Sequence, residues 1–138
     1  MANLTISSVR IVQSYEQFTA PAGEAFAVGE AMRFDDSTGK VTPANGTDAN
    51  EAQFEGMAVK AASAANMPVT VLVDGVADVG EALASLAFGA PVYLSDTDGL
   101  FADAAGTKTV VCGFVVPGNG ATSSDKLLRV IKRTIVPA

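Results

Sequence analysis

Residues 29–46 read GEAMRFDDSTGKVTPANG, and residues 89–106 read GAPVYLSDTDGLFADAAG. Superposed without a gap, Gly29/Gly89, Asp36/Asp96, Gly39/Gly99, Ala44/Ala104 and Gly46/Gly106 are identical. The apolar positions follow, with Met32 over Val92, Phe34 over Leu94 and Val41 over Phe101. After a short gap the match resumes, Phe54–Val59 lying over Val111–Val116, and upstream Gly23-Glu24-Ala25 echoes Gly80-Glu81-Ala82. Each copy reads as a β-hairpin followed by another strand. Between the two arms stand Asp35-Asp36-Ser37-Thr38-Gly39 and Asp96-Thr97-Asp98-Gly99. Asp and Ser favour turns by bonding back to the backbone, and Gly supplies positive φ. Loops of this length and composition close hairpins.

Outward from the repeat, the remaining runs are also short. MPVTVLVDG puts Val69, Val71 and Val73 on one face and Thr70 and Leu72 on the other, the alternation of a strand. Asp74-Gly75 reads as a turn into a further strand at Val76–Val79. Glu81–Phe88 is the one helical stretch, with Glu81 at the positive end of the helix dipole and Gly89 as its stop. The closing run KLLRVIKR carries Leu128, Val130 and Lys132 on one face and Leu127, Arg129, Ile131 and Arg133 on the other. The fold expected is an all-β, compact barrel-like or sandwich domain of short antiparallel strands, with one short helix and two similar hairpin-containing halves. Residues 1–22 form an N-terminal arm or strand. Residues 23–138 form a single β-rich domain with the internal repeat at 29–59 and 89–116.

Composition narrows the function. The chain has 138 residues, a length suited to one domain, and is 49% apolar with seven Phe, two Tyr and no Trp. A core of small and β-branched side chains suits closely spaced sheets. Only 17% of residues are charged, and the net charge is −6. That is not the basic footprint of a nucleic-acid binder. No stretch approaches the ~20 apolar residues of a membrane span, and the start lacks the pattern of a signal peptide. The reading is a soluble protein made in a cytoplasm.

Candidate chemistry is sparse. The Asp96 turn begins like a calcium loop, but the twelfth position is Thr107, where a bidentate Glu is needed. Turn formation accounts for the acids without an ion, so neither metal nor cofactor is expected. Gly118-Asn119-Gly120 lacks the strand-to-helix context of an anion-binding loop. There is no His, hence no common general base, and no G-x-S-x-G element. The single Cys112, inside VVCGFVV, reads as a buried apolar filler. The protein is not expected to be an enzyme. Lys126, Arg129, Lys132 and Arg133 admit two readings: charges that keep a solvated edge strand from aggregating, or an interface for an acidic partner. The apolar TIVPA that follows Arg133 favours a partner.

The ordered set of motifs resembles the small capsid decoration, or cement, proteins of tailed bacteriophages. It comprises Gly39–Ala44, Phe54–Ala58, the Val69–Gly75 strand, Gly89–Leu94 before an acidic turn, Gly113–Val116 and a closing strand. It covers the chain from about Gly23 to Arg133. The resemblance implies a structural virion protein without catalysis. It would sit on the capsid exterior as a homo-oligomer, expected to be a trimer, and clamp the major capsid protein. No nucleic-acid or membrane partner is implied. The candidate capsid or subunit contacts are Leu4, Ile6, Val9, Ile11, Tyr15 and Phe18 in the opening segment, with Lys126, Arg129, Lys132 and Arg133 at the end. The alternatives are another virion binding module, such as a head-fibre or tail component, or a small-ligand-binding β-barrel.

Overall fold

The computed structural model describes residues 2–118 and 126–132. Among them the regular structure is all strand: β1 (Arg10–Pro21), β2 (Ala31–Phe34), β3 (Val41–Pro43), β4 (Gly56–Ala58), β5 (Pro68–Asp78), β6 (Pro91–Leu94), β7 (Phe101–Ala102), β8 (Val111–Pro117) and β9 (Lys126–Val130). They make one antiparallel sheet of order β3-β2-β4-β5-β9-β8-β6-β7, curled into a half-barrel. One edge of β5 is shared: β4 takes Val71 and Leu72, and β9 takes Gly75 to Ala77. The opposite edge is occupied along its whole length by β1.

The two halves pair in the same register, apart from a bulge between Val92 and Tyr93 that the first half lacks. Arg33 faces Thr42 and Phe34 faces Val41, while Tyr93 faces Ala102 and Leu94 faces Phe101. Ala31 and Met32 face Met57 and Gly56, while Pro91 and Val92 face Phe114 and Gly113. The correspondence runs on into strands that the sequence overlay does not reach. Met57 and Ala58 pair with Leu72 and Val71, as Phe114 and Val115 pair with Arg129 and Leu128. A Cβ on Gly56 would run into the Leu72 carbonyl, and one on Gly113 into the Arg129 carbonyl. The neighbouring backbone passes too close for any other residue at either place.

The halves nevertheless bury opposite faces. The main core gathers Ala31, Met57 and Leu72 from the first half with Val92, Phe101, Val115 and Leu128 from the second. Inside it Phe54 and Phe101 meet edge to face at 5.9 Å, each burial contributing about 1.5–3 kcal/mol. A second core lies against the other face of the first half, where Met32, Val41, Ala58 and Val71 meet Ala22, Phe26 and Ala62. So Ala58 and its counterpart Val115 enter different cores, and Met57 is buried where Phe114 is exposed. The cause lies in β5. Its register to β1 steps from Glu16–Asp74 to Gln17–Leu72, leaving Val73 as an extra residue. One inserted residue reverses the alternation of faces, so Leu72 before it and Ala77 after it both enter the main core.

Three expectations are corrected. Asp74-Gly75 is not a turn, because β5 runs unbroken from Pro68 to Asp78. Gly75 is there because the Gln13 carbonyl lies where a Cβ would go. Residues 81–88 are not a helix but successive turns, with Ala84 N–H bonding Glu81 O and Leu86 N–H bonding Leu83 O. Two turns do not repay helix nucleation, and the Lys126 ammonium instead takes the carbonyls of Ala84 and Leu86. Finally, β9 is no edge strand, since β5 and β8 flank it. Substituting Gly113→Ala is expected to cost about 1–3 kcal/mol through overpacking. The check is a urea melt in which the midpoint falls and the slope is unchanged.

Candidate functional site

The contact residues named from sequence are dispersed. Leu4 is a core residue, 7% exposed, whose N–H bonds the Phe101 carbonyl at 2.8 Å. Expected as a contact, it is a member of the main core with little free surface. Ile6 and Val9 are half-buried and pack against the main core. Phe18 packs against the second core and stacks on Phe34 at 5.2 Å. Ile11 and Tyr15 stay exposed on β1. Lys126 faces away from the other cations, over the ring of Phe88 at 5.4 Å and onto the 81–88 turns. Arg133 and the TIVPA segment lie outside the described residues, as do Asn119 and Gly120.

Three of the named residues do converge, on the outer face of the second half. There β1, β5, β9 and β8 place Gln13, Val76, Arg129 and Phe114 in one row across the strands. Tyr15 joins them through a bulge: Ser14 faces Gly75 and Glu16 faces Asp74, so Tyr15 is the unpaired extra residue. Such a residue has its side chain re-aimed, and here the Tyr15 ring lies 5.9 Å from the Arg129 guanidinium. Arg129 is also 3.9 Å from Asp74, and Lys132 bonds both oxygens of Glu16 at 3.1 Å. Tyr15 is 58% exposed and Phe114 38%. Exposed ion pairs of this kind contribute about 0–1 kcal/mol to stability, so the cluster is not explained as a folding device. Phe114 and Asp74 were not singled out from sequence. Phe114 stands over Met57 in the repeat, and nothing local tells which of the two faces outward.

The first acidic turn is closed by its own acid; in the second, Ser95 Oγ accepts the Thr97 N–H and Asp96 instead reaches Thr107. Asp35 Oδ1 accepts the Ser37 N–H at 2.9 Å and the Ser37 hydroxyl at 2.8 Å. Those bonds hold its carboxyl below the usual range. Asp96 accepts both the N–H and the hydroxyl of Thr107. Among the described residues no three His, Cys, Asp or Glu gather as a metal site. An open groove of about 370 Å³ runs between the opening residues and the 79–85 turns, past Glu81, Ser85 and Asp103. Asp103 is already engaged there by the Ala2 N–H at 2.8 Å.

Two titratable groups stand apart, Cys112 fully buried and Glu30 half-buried. Cys112 is 1% exposed, and burial pushes its thiol well up. The Glu30 carboxyl is raised above 4.5, first by desolvation, against the lowering bond from Ala27 N–H, and further by Asp98 and Glu24. No family model, curated protein or solved structure matches the chain.

Cys112 is expected to resist thiol reagents in the native state and to react fully once urea unfolds the protein; fast labelling of folded protein would contradict its burial. For Glu30 the sign follows from linkage. The folded state holds the proton more tightly than the unfolded chain. Its contribution is therefore fully present below the unfolded value and is lost as pH rises through the raised folded value. Glu30→Gln keeps an oxygen for the Ala27 N–H. It is expected to flatten the fall in stability that the parent shows above about pH 4.5, as read by urea melts across the pH range.

Proposed function

We propose that this chain is a structural virion protein, a decoration or cement protein that binds the outside of a phage head and stabilises the capsid. The observation that carries the reading is β1. This strand of 12 residues is joined to the body along one edge only. Among the described residues no strand pairs with its other edge, and Ile11 and Tyr15 project from it into solvent. An open strand of this kind attaches to other chains by backbone pairing and by side-chain anchors. The register shifts at Val12 and Tyr15 interrupt indiscriminate pairing and leave the regular stretch Gln17–Pro21 as the pairing segment.

That the partner is a capsid comes from the resemblance of the motif order to the decoration proteins. On this reading the major capsid protein is the partner and the virion exterior the location, reached after synthesis in the bacterial cytoplasm. The protein acts as a homo-oligomer, expected to be a trimer. Many copies on a lattice gain avidity without one large interface, which suits a chain whose exposed anchors are few.

The test is addition of the purified protein to expanded heads that lack it. Bound protein is expected to sediment with the heads and to raise the temperature at which they release DNA. Heads that fail to retain the protein would overturn the assignment. A truncation of residues 2–9 is not an equivalent test, because it removes Leu4 from the main core.

A further inference from the structure

The repeat supplies an internal standard for which surfaces this chain buries. Met57 and Leu72 in the first half are fully buried. Their counterparts by strand register, Phe114 and Arg129, are exposed. The second half thus presents to solvent the face that the first half covers, and presents it with a phenylalanine.

Arg129 is positioned as a receptor. Its guanidinium lies against the Tyr15 ring at 5.9 Å and stands 3.9 Å from Asp74, beyond hydrogen-bond length. Its side chain is 48% exposed. A guanidinium offers its donors as a planar fork that takes a carboxylate by two parallel bonds. Tyr and Arg are among the residue types that dominate the energetics of protein contacts, and Phe is enriched at their centre. The face therefore calls for an occupant that brings a carboxylate beside an apolar group.

The chain carries such a surface on its first hairpin. Phe34, at the end of β2, is 40% exposed and backed by Phe18. Two residues on, at the hairpin tip, Asp36 is exposed and has no hydrogen bond or ion pair among the described residues. Its neighbour Asp35 is consumed by the turn. A protein of net charge −6 repels its own copies over most of its surface, so copies are expected to meet where opposite charges face each other.

We infer that the β2–β3 hairpin tip of one copy, through Phe34 and Asp36, docks on the Tyr15–Arg129–Phe114 face of the next. The inference rests on the assembly role proposed above and names the surfaces that would build the oligomer. Two different patches are joined, so the contact is head-to-tail and propagates until it closes a ring or forms a filament.

The experiment is a charge reversal read by sedimentation equilibrium. The parent is expected to be oligomeric. Arg129→Glu and Asp36→Arg are each expected to weaken association by about a hundredfold or more. Because every copy carries both patches, the double variant reunites opposite charges and is expected to recover the oligomer. Thermal melts establish that all variants fold. A parent that stays monomeric at high concentration would overturn the contact, as would single variants that assemble normally or a double variant that stays dissociated. Binding to heads separates the two readings. A monomeric parent that still binds heads sinks the contact alone, and an Arg129→Glu variant that loses heads without a parent oligomer assigns the face to the capsid instead. Oligomers that never bind heads sink the capsid role and keep the contact.

Discussion

The backbone of β5 is shared among three partners, and the rest of the sheet is arranged around that sharing. Along one edge β1 holds all of it. Along the other, β4 and β9 divide it on either side of Val73 and Asp74. A strand with two flat faces would force both sub-sheets to bury the same parity of residues. The extra residue at Val73 removes that constraint, so Leu72 and Ala77 point into one core from the two ends of the same strand. Gly75 is the second condition, because the Gln13 carbonyl approaches within the space of a side chain. With a larger residue there, β1 is forced away from β5 and Tyr15 loses its place over Arg129.

This arrangement explains why two near-identical hairpins end in different surroundings. The local build of each is similar: a side-chain oxygen, of Asp35 or Ser95, accepts the N–H two residues on, a glycine stands near the tip, and the cross-strand partners match. Their surroundings differ because one hairpin lies outside the reversal in β5 and the other inside it. The second core, with Phe26 and Ala62, covers the outer face of the first half. The outer face of the second half carries Phe114, Arg129 and Tyr15 instead.

The legible part of the fold was the part set by near neighbours. Turn residues and alternation located both hairpins, the valine-rich strand and the closing strand, and the all-β class follows from them. What escaped depends on contacts between distant residues. The stretch from Glu81 to Phe88 has helical composition, yet a lysine some 40 residues away takes two of its carbonyls. Asp74-Gly75 has the composition of a turn, and the pairing of β1 keeps it straight. Leu4 looks like any alternating residue of an arm until Phe101 bonds it into the main core. Of the contact residues read from sequence, Tyr15, Arg129 and Lys132 meet on one surface. Phe114 and Asp74 complete it through register and bulge, which no short window of sequence displays.

The division of β5 also sets an order of events during synthesis. The edge from Gly75 to Ala77 is completed by residues 128–130, which leave the ribosome some 50 residues later. Leu4 likewise waits for Phe101. Until both arrive, the nascent chain holds β1 to β5 as a sheet whose margin is bare from Gly75 to Ala77, the kind of intermediate that pairs with other chains. Closure by long-range contacts is slow compared with local hairpin formation. The bulges along β1 therefore matter most in the interval before β9 exists, when the Gly75–Ala77 stretch of the opposite edge of β5 has no cover.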